Sequence, residues 1–249
     1  MEKQIGELEE PRSMRSRIEK LRFVGDKNAD FVIIDSTAKP EKTEESTELK
    51  QTRFNPILRR ALDNRLKKTI SLVPKDAQSL LELGCGSGYF LADIEKQFPS
   101  IKLTGVDLSE ENLSFANAIL KRTKLMKGDA TNLKLPDSSF DVVAALELIE
   151  HVHDDKALLA EAWRVLKPHG TLILSTPDTE KPLWSTVWKL WNNTFRMRYD
   201  PHFREYKEED FKKLLEESGF KVKNEVRALF GCIMIFECEK VLQPKQAKH

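Results

Sequence analysis

The sequence contains few cysteines, only Cys85, Cys232 and Cys238 in 249 residues. Their spacing matches neither a disulfide framework nor a zinc site. Cys85 also has no basic neighbour in sequence that would activate it as a nucleophile, so we expect it to serve as a small packing residue. The scarcity of cysteine predicts a protein of a reducing compartment, and we expect a cytoplasmic one.

Long apolar runs and net charge are also missing. No stretch approaches the roughly 18 apolar residues that a membrane-spanning helix needs, and the charged residues from Glu2 onward leave no apolar core of a signal peptide. The 41 basic residues are balanced by 40 acidic ones, which gives a formal net charge of +1. Because no overall field attracts nucleic acid, we expect a soluble protein without a strong nucleic-acid signal.

The composition changes near residue 50. Residues 1–52 are rich in charge, and the segment 36–46 has the Pro, Glu, Ser and Lys content of disordered chains. The whole chain is nevertheless 40% hydrophobic, which is enough for a core. We predict a charged, partly disordered N-terminal extension over 1–52, one domain over 53–240 and a tail over 241–249.

Helical and strand patterns alternate through this predicted domain. An amphipathic helix is predicted over 54–71, and another ends at Gly219. Five alternations of strand and helix predict an α/β fold with a doubly wound, parallel sheet. The predicted strands fall at 80–83, 101–107, 124–128, 141–146, 171–177, 220–226 and 229–238.

The first predicted strand leads into a loop with glycine at every second position, Gly84, Gly86 and Gly88. Glycines allow positive φ angles and let a ligand lie against bare main chain, and a helix start offers N–H groups to a carboxylate or phosphate. The loop fits neither the dinucleotide fingerprint nor the P-loop, since Tyr89 follows Gly88 and no G-K-[ST] is present. Two interpretations remain, a small-molecule site and a packing turn without a ligand.

Asp107 ends the second predicted strand, 19 residues after Gly88. This is close to the offset of about 20 residues at which a carboxylate reaches a ribose diol in nucleotide-binding folds. The other role for an acid here, capping the next helix, fits Ser109 better, because acidic residues and a helical run follow it directly. We therefore expect Asp107 to be available for a ligand.

Glu82 and the three glycines resemble motif I, E/D-x-G-x-G-x-G, of the class I S-adenosylmethionine-dependent methyltransferases. The segments G-D-A at 128–130 and L-P-x-x-x-F-D-V-V at 135–143 resemble motifs III and IV of the small-molecule branch that includes ubiquinone and menaquinone biosynthesis. The phrase L-K-P-x-G-T-L-I-L-S at 166–175 recurs in the same group. The resemblance spans about residues 54–240 and implies a Rossmann-like methyltransferase fold, with a mostly parallel seven-stranded sheet and an antiparallel last strand.

The resemblance implies S-adenosylmethionine as the cofactor, bound at the carboxyl ends of the first four strands. It also implies that Asp129 accepts a hydrogen bond from the adenine amino group and that Ala130 flanks the ring. The segment before motif I resembles one that carries a cofactor-contacting arginine, here Arg59 or Arg60. The predicted cofactor-binding residues are Arg59, Glu82, Gly84, Cys85, Gly86, Gly88, Asp107, Leu108, Asp129, Ala130 and Glu147.

Glu147, Glu150 and His151 form an E-x-x-E-H pattern after the fourth predicted strand. The pattern resembles a quinone-pathway O-methyltransferase subgroup in which these side chains can hold a divalent cation, although Mg²⁺ prefers an oxygen-rich octahedral site. Two other roles stay open: His151 as a general base near the acceptor, and capping with lining of the pocket. We predict His151 as the catalytic residue and no metal.

Trp184, Trp188 and Trp191 lie on one helical stripe between the fifth strand and the next helix. Such a stripe suits a packed core, yet the resembled family inserts its substrate cover at this point. We predict a Trp-rich substrate-cover insert at about 178–206. Peripheral membrane contact through the tryptophans is the alternative.

The sequence thus predicts an S-adenosylmethionine-dependent methyltransferase that acts on an oxygen or carbon of a small, apolar or aromatic molecule. Nucleic-acid and protein amino methyltransferases of related fold often carry an N/D-P-P-Y motif after the fourth strand, and this chain lacks it. Two alternatives remain: a methyltransferase acting on protein or RNA through its basic residues, and a cofactor-binding scaffold without turnover. The sequence does not predict an oligomeric state.

Overall fold

The structure, a computed structural model, describes residues 56–181 and 203–241, without the side chains of 56–59 and 62 in the first helix. The predictions for the N-terminal extension, the tryptophan stripe and the residues after Val241 lie outside the described residues and stay predictions. None of the described helices is long and apolar enough to cross a membrane.

Strands and helices alternate along the described residues as the periodicity predicts. The strands are β1 (Ser79–Leu83), β2 (Lys102–Asp107), β3 (Lys124–Lys127), β4 (Phe140–Leu146), β5 (Leu166–Pro177), β6 (Phe220–Ala228) and β7 (Ile233–Lys240). The helices are α1 (Pro56–Ile70), α2 (Tyr89–Gln97), α3 (Glu110–Ile119), α4 (Asp155–Val165) and α5 (Glu208–Glu217). Short 3₁₀ turns at Ile149–His151 and Leu229–Gly231 follow β4 and β6.

The seven strands form one sheet in the order β3-β2-β1-β4-β5-β7-β6. Strands β1 to β5 pair in parallel, and β7 is antiparallel to both of its neighbours. This confirms the predicted seven-stranded, mostly parallel sheet with an antiparallel last strand. The chain reverses its order across the sheet between β1 and β4, and ligands of open parallel sheets bind at the carboxyl ends of strands at such a point.

Both faces of the sheet are covered, which explains why the central strands are continuous apolar runs. Alternate residues enter opposite clusters, so that in β1 Leu81 and Leu83 face one cluster and Leu80 the other. The first cluster is closed by apolar side chains of α4 and α5, and the second by those of α2. Burial of these strands between helices fixes the sheet, and with it the edge at which the loops meet.

The starts of two predicted strands were wrong. Strand β5 begins at Leu166 rather than at residue 171, because its pairing with β4 passes from Leu166 to Thr171 across a bulge in which His169 has a φ of 60°. Strand β7 begins at Ile233 rather than at 229, because the preceding residues turn with positive φ angles. The error at β5 falls where Pro168 and Gly170 give a strand the composition of a turn, and the error at β7 falls where apolar residues occupy a turn, which apolar periodicity does not distinguish from a strand.

Candidate functional site

The carboxyl edge of the sheet collects the predicted site residues. The glycine loop follows β1, Asp107 and Leu108 end β2, Asp129 follows β3, and Glu147 follows β4. Because parallel strands all end at the same edge, the topology places these residues along one line. The side chain of Arg59 lies outside the described residues, and Arg60 is exposed on α1.

The three loop glycines all have positive φ angles, 65° at Gly84, 51° at Gly86 and 82° at Gly88. A Cβ at Gly84 would come within 2.7 Å of Leu148 Cδ1, and one at Gly88 within 2.9 Å of Leu120 Cδ1. A Cβ at Gly86 would meet no atom within 4 Å. Both interpretations of the loop therefore hold in part, since two glycines are required by packing and the central one lines open space.

Asp107 holds this loop in place. One carboxylate oxygen accepts the Gly86 N–H at 2.8 Å, and the other accepts the Ser109 N–H at 2.8 Å and the Asn112 side-chain amide at 3.2 Å. Ser109 caps α3 as predicted, but its own N–H also needs an acceptor. The expectation that Asp107 lacks local partners is therefore corrected, although a carboxylate has about four acceptor sites and can still serve a ligand hydroxyl.

The ends of β2 and β3 present a carboxylate beside an apolar surface. Asp129 is exposed, and its Oδ1 accepts both the Thr131 N–H and the Thr131 hydroxyl, at 2.8 and 2.7 Å. Ala130 is buried beside it, whereas Leu108 is 65% exposed. An adenine could pair with both groups, because its amino group donates a hydrogen bond to a carboxylate oxygen and its flat ring packs against an apolar side chain.

Glu82 and Cys85 are both buried below the loop. Burial raises the pKa of the Cys85 thiol well above its usual range, and the nearby carboxylates of Glu82 and Asp107 raise it further. A thiol that stays protonated is neither a nucleophile nor a metal ligand at neutral pH. This confirms the interpretation of Cys85 as a packing residue.

Glu147 adopts a left-handed backbone conformation, with φ at 50°, directly after β4. Its N–H donates to the Ser175 carbonyl at 3.1 Å, and its Oε1 accepts the Ser175 hydroxyl at 2.8 Å. Its other carboxylate oxygen lies 2.9 Å from Arg65 Nη1. A non-glycine residue in this conformation costs free energy and is found where surrounding contacts hold it, often at functional sites.

Arg65 is the site arginine that sequence reasoning missed. It reaches from α1 to the end of β4, whereas the resemblance drew attention to positions 59 and 60. A signal was present, because Arg65 lies four residues from Ala61 and from Thr69, and Thr69 is buried. An arginine on the buried side of an amphipathic helix indicates a paired charge.

Glu150 is buried, and its carboxylate accepts the Thr176 hydroxyl at 3.1 Å. Its carbonyl accepts the Phe203 N–H at 2.8 Å, which ties the last residues of the predicted insert to this turn. Burial, and then the negative charge of Glu147, raise the pKa of the Glu150 carboxyl to about 8. The side chain is therefore mostly protonated at neutral pH.

His151 ends the same 3₁₀ turn, where its N–H donates to the Leu148 carbonyl at 2.9 Å, and its side chain is half-buried. The three members of the E-x-x-E-H pattern do not converge, since Glu147 faces Arg65 and Ser175 while Glu150 faces Thr176. Across residues 56–181 and 203–241, no group of three or more His, Cys, Asp or Glu side chains is arranged to hold a metal ion.

The ends of the predicted insert meet beside this site. Asp178 forms a parallel bridge with Tyr206, and the Thr179 hydroxyl donates to the Tyr206 carbonyl at 3.4 Å. The Tyr206 hydroxyl in turn donates to the buried Asp155 at 3.0 Å. Residues 178–179 therefore lie beside Tyr206, on the side of the sheet edge that carries His151.

A family model described as a methyltransferase domain matches residues 81–174. A probable S-adenosylmethionine-dependent methyltransferase of Mycolicibacterium smegmatis is 32% identical over 62% of this chain and 56% of its own length. A demethylmenaquinone methyltransferase of Lactobacillus johnsonii is 31% identical over 57% of this chain and 67% of its own length. The chain spans only 36% to 56% of the length of the first three curated relatives that it matches.

The fold is also similar to solved structures. A protein of Thermotoga maritima, described as an SAM-dependent methyltransferase and possible histamine N-methyltransferase, is 26% identical with a TM-score of 0.60. The match covers 70% of this chain and 87% of that one.

The buried Glu150 gives folding stability a pH dependence. The folded protein holds the Glu150 proton up to a pKa of about 8, compared with 4.5 for an ordinary glutamate. Raising the pH between these values therefore lowers the free energy of unfolding, by up to about 1.4 kcal/mol per pH unit. In Glu150→Gln we expect this decline to be much smaller, as measured by urea unfolding at several pH values.

Glu161→Gln is the matched control for this measurement. The Arg164 guanidinium lowers the pKa of Glu161, so its contribution changes only in more acidic solution. We expect this variant to be less stable than the wild type, with an unchanged slope between about pH 6 and pH 8. Equal slopes in the wild type and Glu150→Gln would show that Glu150 is ionised throughout this range.

Proposed function

The chain belongs to the class I S-adenosylmethionine-dependent methyltransferases, and we propose that it transfers a methyl group to an oxygen or carbon of a small, apolar or aromatic molecule. One observation carries this proposal: open space at Gly86 lies between packed glycines, at the point where the strand order reverses. The acidic side chains that follow β2 and β3 extend the same edge.

The residues along this edge fit the cofactor. S-adenosylmethionine supplies an electrophilic methyl group bound to a positively charged sulfur. The main chain at Gly86 and the start of α2 suit its amino-acid part, because N–H groups at a helix start attract a carboxylate. Asp107 suits the ribose hydroxyls, and Asp129 with Leu108 suits the adenine.

The acceptor belongs on the other side of the edge, beyond β4. Apart from Arg59 and Glu147, the predicted cofactor residues lie in β1 or β2 or follow β1, β2 and β3, which leaves the turn after Glu147 and the end of β5 for the second substrate. His151 lies in that turn and can take a proton from an acceptor hydroxyl, the role that histidine most often has in acid–base catalysis. The remaining acceleration comes from alignment of the two reactants and exclusion of water.

Relatives support an apolar acceptor. The demethylmenaquinone methyltransferases of Thermotoga maritima and Lactobacillus johnsonii are named for a quinone substrate. For action on protein or RNA, the basic residues of α1 would form the docking face. Arg65 is instead paired with Glu147, and Lys68 Nζ donates to the Arg227 carbonyl at 2.7 Å, so two of these cations face the protein.

We also propose a cytoplasmic location. All three cysteines are buried free thiols. Free thiols persist in reducing compartments, where disulfides are rare. This supports the expectation drawn from cysteine content.

Calorimetric titration with S-adenosylhomocysteine tests the proposed function. We expect binding of this ligand with one site per chain, no binding of NAD, and no change on addition of Mg²⁺. Absence of S-adenosylhomocysteine binding would contradict the proposal. Binding without methyl transfer to any of a panel of phenols, quinols and amines would favour a scaffold without turnover.

Asp107→Ala is expected to weaken S-adenosylhomocysteine binding by about 1–3 kcal/mol. The variant removes the acceptor for the Gly86 N–H together with that for the ribose hydroxyls. Glu110→Ala is the control, because Glu110 is an exposed neighbouring acid that pairs with Lys127. Equal affinity in the wild type and Asp107→Ala would remove Asp107 from the cofactor site.

His151→Ala is expected to slow methyl transfer by roughly 10²–10⁴-fold, as for loss of a general base, while S-adenosylhomocysteine affinity is retained. His169→Ala is the control, since His169 is exposed and pairs with Glu239 at the opposite edge of the sheet. Wild-type turnover in His151→Ala would reject His151 as the base.

A further inference from the structure

The large hydrophobic side chains that the described residues leave exposed all lie at one edge of the sheet. They are Leu108, Phe203 and Phe230, with exposed fractions of 65%, 44% and 69%. Leu108 follows β2. The Phe203 N–H donates a hydrogen bond to the carbonyl of Glu150, which lies in the turn after β4. Exposed apolar side chains that share one edge with a candidate site are candidates for contact with its ligands.

Phe230 reaches this edge because β7 is antiparallel. The turn that carries Phe230 joins β6 to the start of β7, and Ile233 at that start pairs with Pro177 at the end of β5. The Asp178 N–H also donates to the Cys232 carbonyl at 2.8 Å. Phe230 therefore lies beyond β4 and β5, on the acceptor side of the edge.

The backbone of this turn adopts an unfavourable conformation. Leu229, Phe230 and Gly231 have successive φ angles of 50°, 59° and 90°. Left-handed backbone costs a bulky residue free energy, and glycine or asparagine would adopt it more easily. Leu229 packs against the hydrophobic core, which explains why an apolar residue occupies this position. The exposed ring of Phe230 gains no such burial.

We propose that Phe230 is a specificity residue whose ring contacts the apolar body of the methyl acceptor, with Phe203 as a second contact. This inference rests on the proposed function and narrows its substrate class to molecules with an aromatic ring or alkyl chain beside the methyl-accepting atom. Covering an exposed aromatic ring with apolar surface is favourable. Two separate side chains suit a small molecule better than a protein, whose stable interfaces bury more than about 1,000 Å².

His153 supports Phe203 in this arrangement. The two rings lie with their centroids 3.7 Å apart and their planes tilted by 35°. Arg204, the next residue, lies 3.2 Å from the buried Asp155 carboxylate and also donates to the His153 carbonyl. Phe203 is thus held in place by His153 and by the contacts of Arg204, as a contact surface for a ligand requires.

The test uses 1-naphthol as an aromatic probe and histamine as a polar one, each titrated calorimetrically into the full chain saturated with S-adenosylhomocysteine. We expect the wild type to bind 1-naphthol, and Phe230→Ala to weaken that binding by roughly tenfold or more. Phe230→Leu should retain most of the affinity because it keeps an apolar side chain. S-adenosylhomocysteine affinity should be the same in all three proteins.

Leu229→Ala is the matched control in the same turn. Because Leu229 packs against the core and Phe230 does not, we expect Leu229→Ala to lower the midpoint of thermal unfolding without weakening 1-naphthol binding. Phe230→Ala should weaken 1-naphthol binding without lowering the midpoint of thermal unfolding. A common structural disturbance of the turn would move both quantities together in both variants.

Three results overturn the inference. The first is unchanged 1-naphthol affinity in Phe230→Ala. The second is a loss of histamine binding in Phe230→Ala as large as the loss of 1-naphthol binding. The third is a wild-type protein that binds S-adenosylhomocysteine but not 1-naphthol. In each of them the proposed function still stands. Failure of the wild type to bind S-adenosylhomocysteine overturns the proposed function itself, so the two failures are distinguishable.

Discussion

The candidate site depends on the end of β2, and above all on the hydrogen bond from the Gly86 N–H to the Asp107 carboxylate. Neighbouring main-chain bonds act in the same place, since the Cys85 N–H donates to the Val106 carbonyl and the Gly128 N–H to the Asp107 carbonyl. The end of one strand thereby positions the loops that follow both neighbouring strands. A buried or half-buried carboxylate that accepts several N–H groups is held firmly, because each donor would otherwise lose its partner. The side of the edge that we propose for the cofactor is accordingly preformed by main-chain geometry.

The acceptor side is built differently, from paired charges and strained backbone. Arg65 and Ser175 hold the left-handed Glu147, and Glu147 in turn helps to raise the pKa of the buried Glu150. In the described residues, Leu229 and Phe230 add two further left-handed positions on this side. Strain of this kind persists only where surrounding contacts impose it, and it is concentrated at functional sites. The contrast fits the proposal that loops held by main-chain hydrogen bonds bind the cofactor and that side chains beyond β4 contact the acceptor.

Sequence patterns predicted more of the fold than of the site. The alternation of apolar periodicities is a local property, so it located the strands and helices and even the Ser109 cap. It was wrong at the start of β5, where polar residues, proline and glycine occupy a bulge, and at the start of β7, where apolar residues occupy a turn. The partners of Asp107, the ion pair of Arg65 and the divergence of the E-x-x-E-H side chains depend on contacts between residues far apart in sequence. Such contacts leave only weak traces in a single sequence, such as an arginine on the buried side of a helix.

The sequence by itself determined the class of this protein, because glycine spacing, acidic residues at strand ends and apolar periodicity are written in consecutive residues and together specify a doubly wound sheet with a ligand loop. Only the tertiary structure decided what each of those residues does. It assigned Gly84 and Gly88 to packing and Gly86 to open space, and it placed Arg65 beside Glu147. It also brought Phe230 to the carboxyl edge, because an antiparallel last strand begins where the parallel strands end. The physical reason is that function here arises from the ends of strands, which only the assembled sheet brings together.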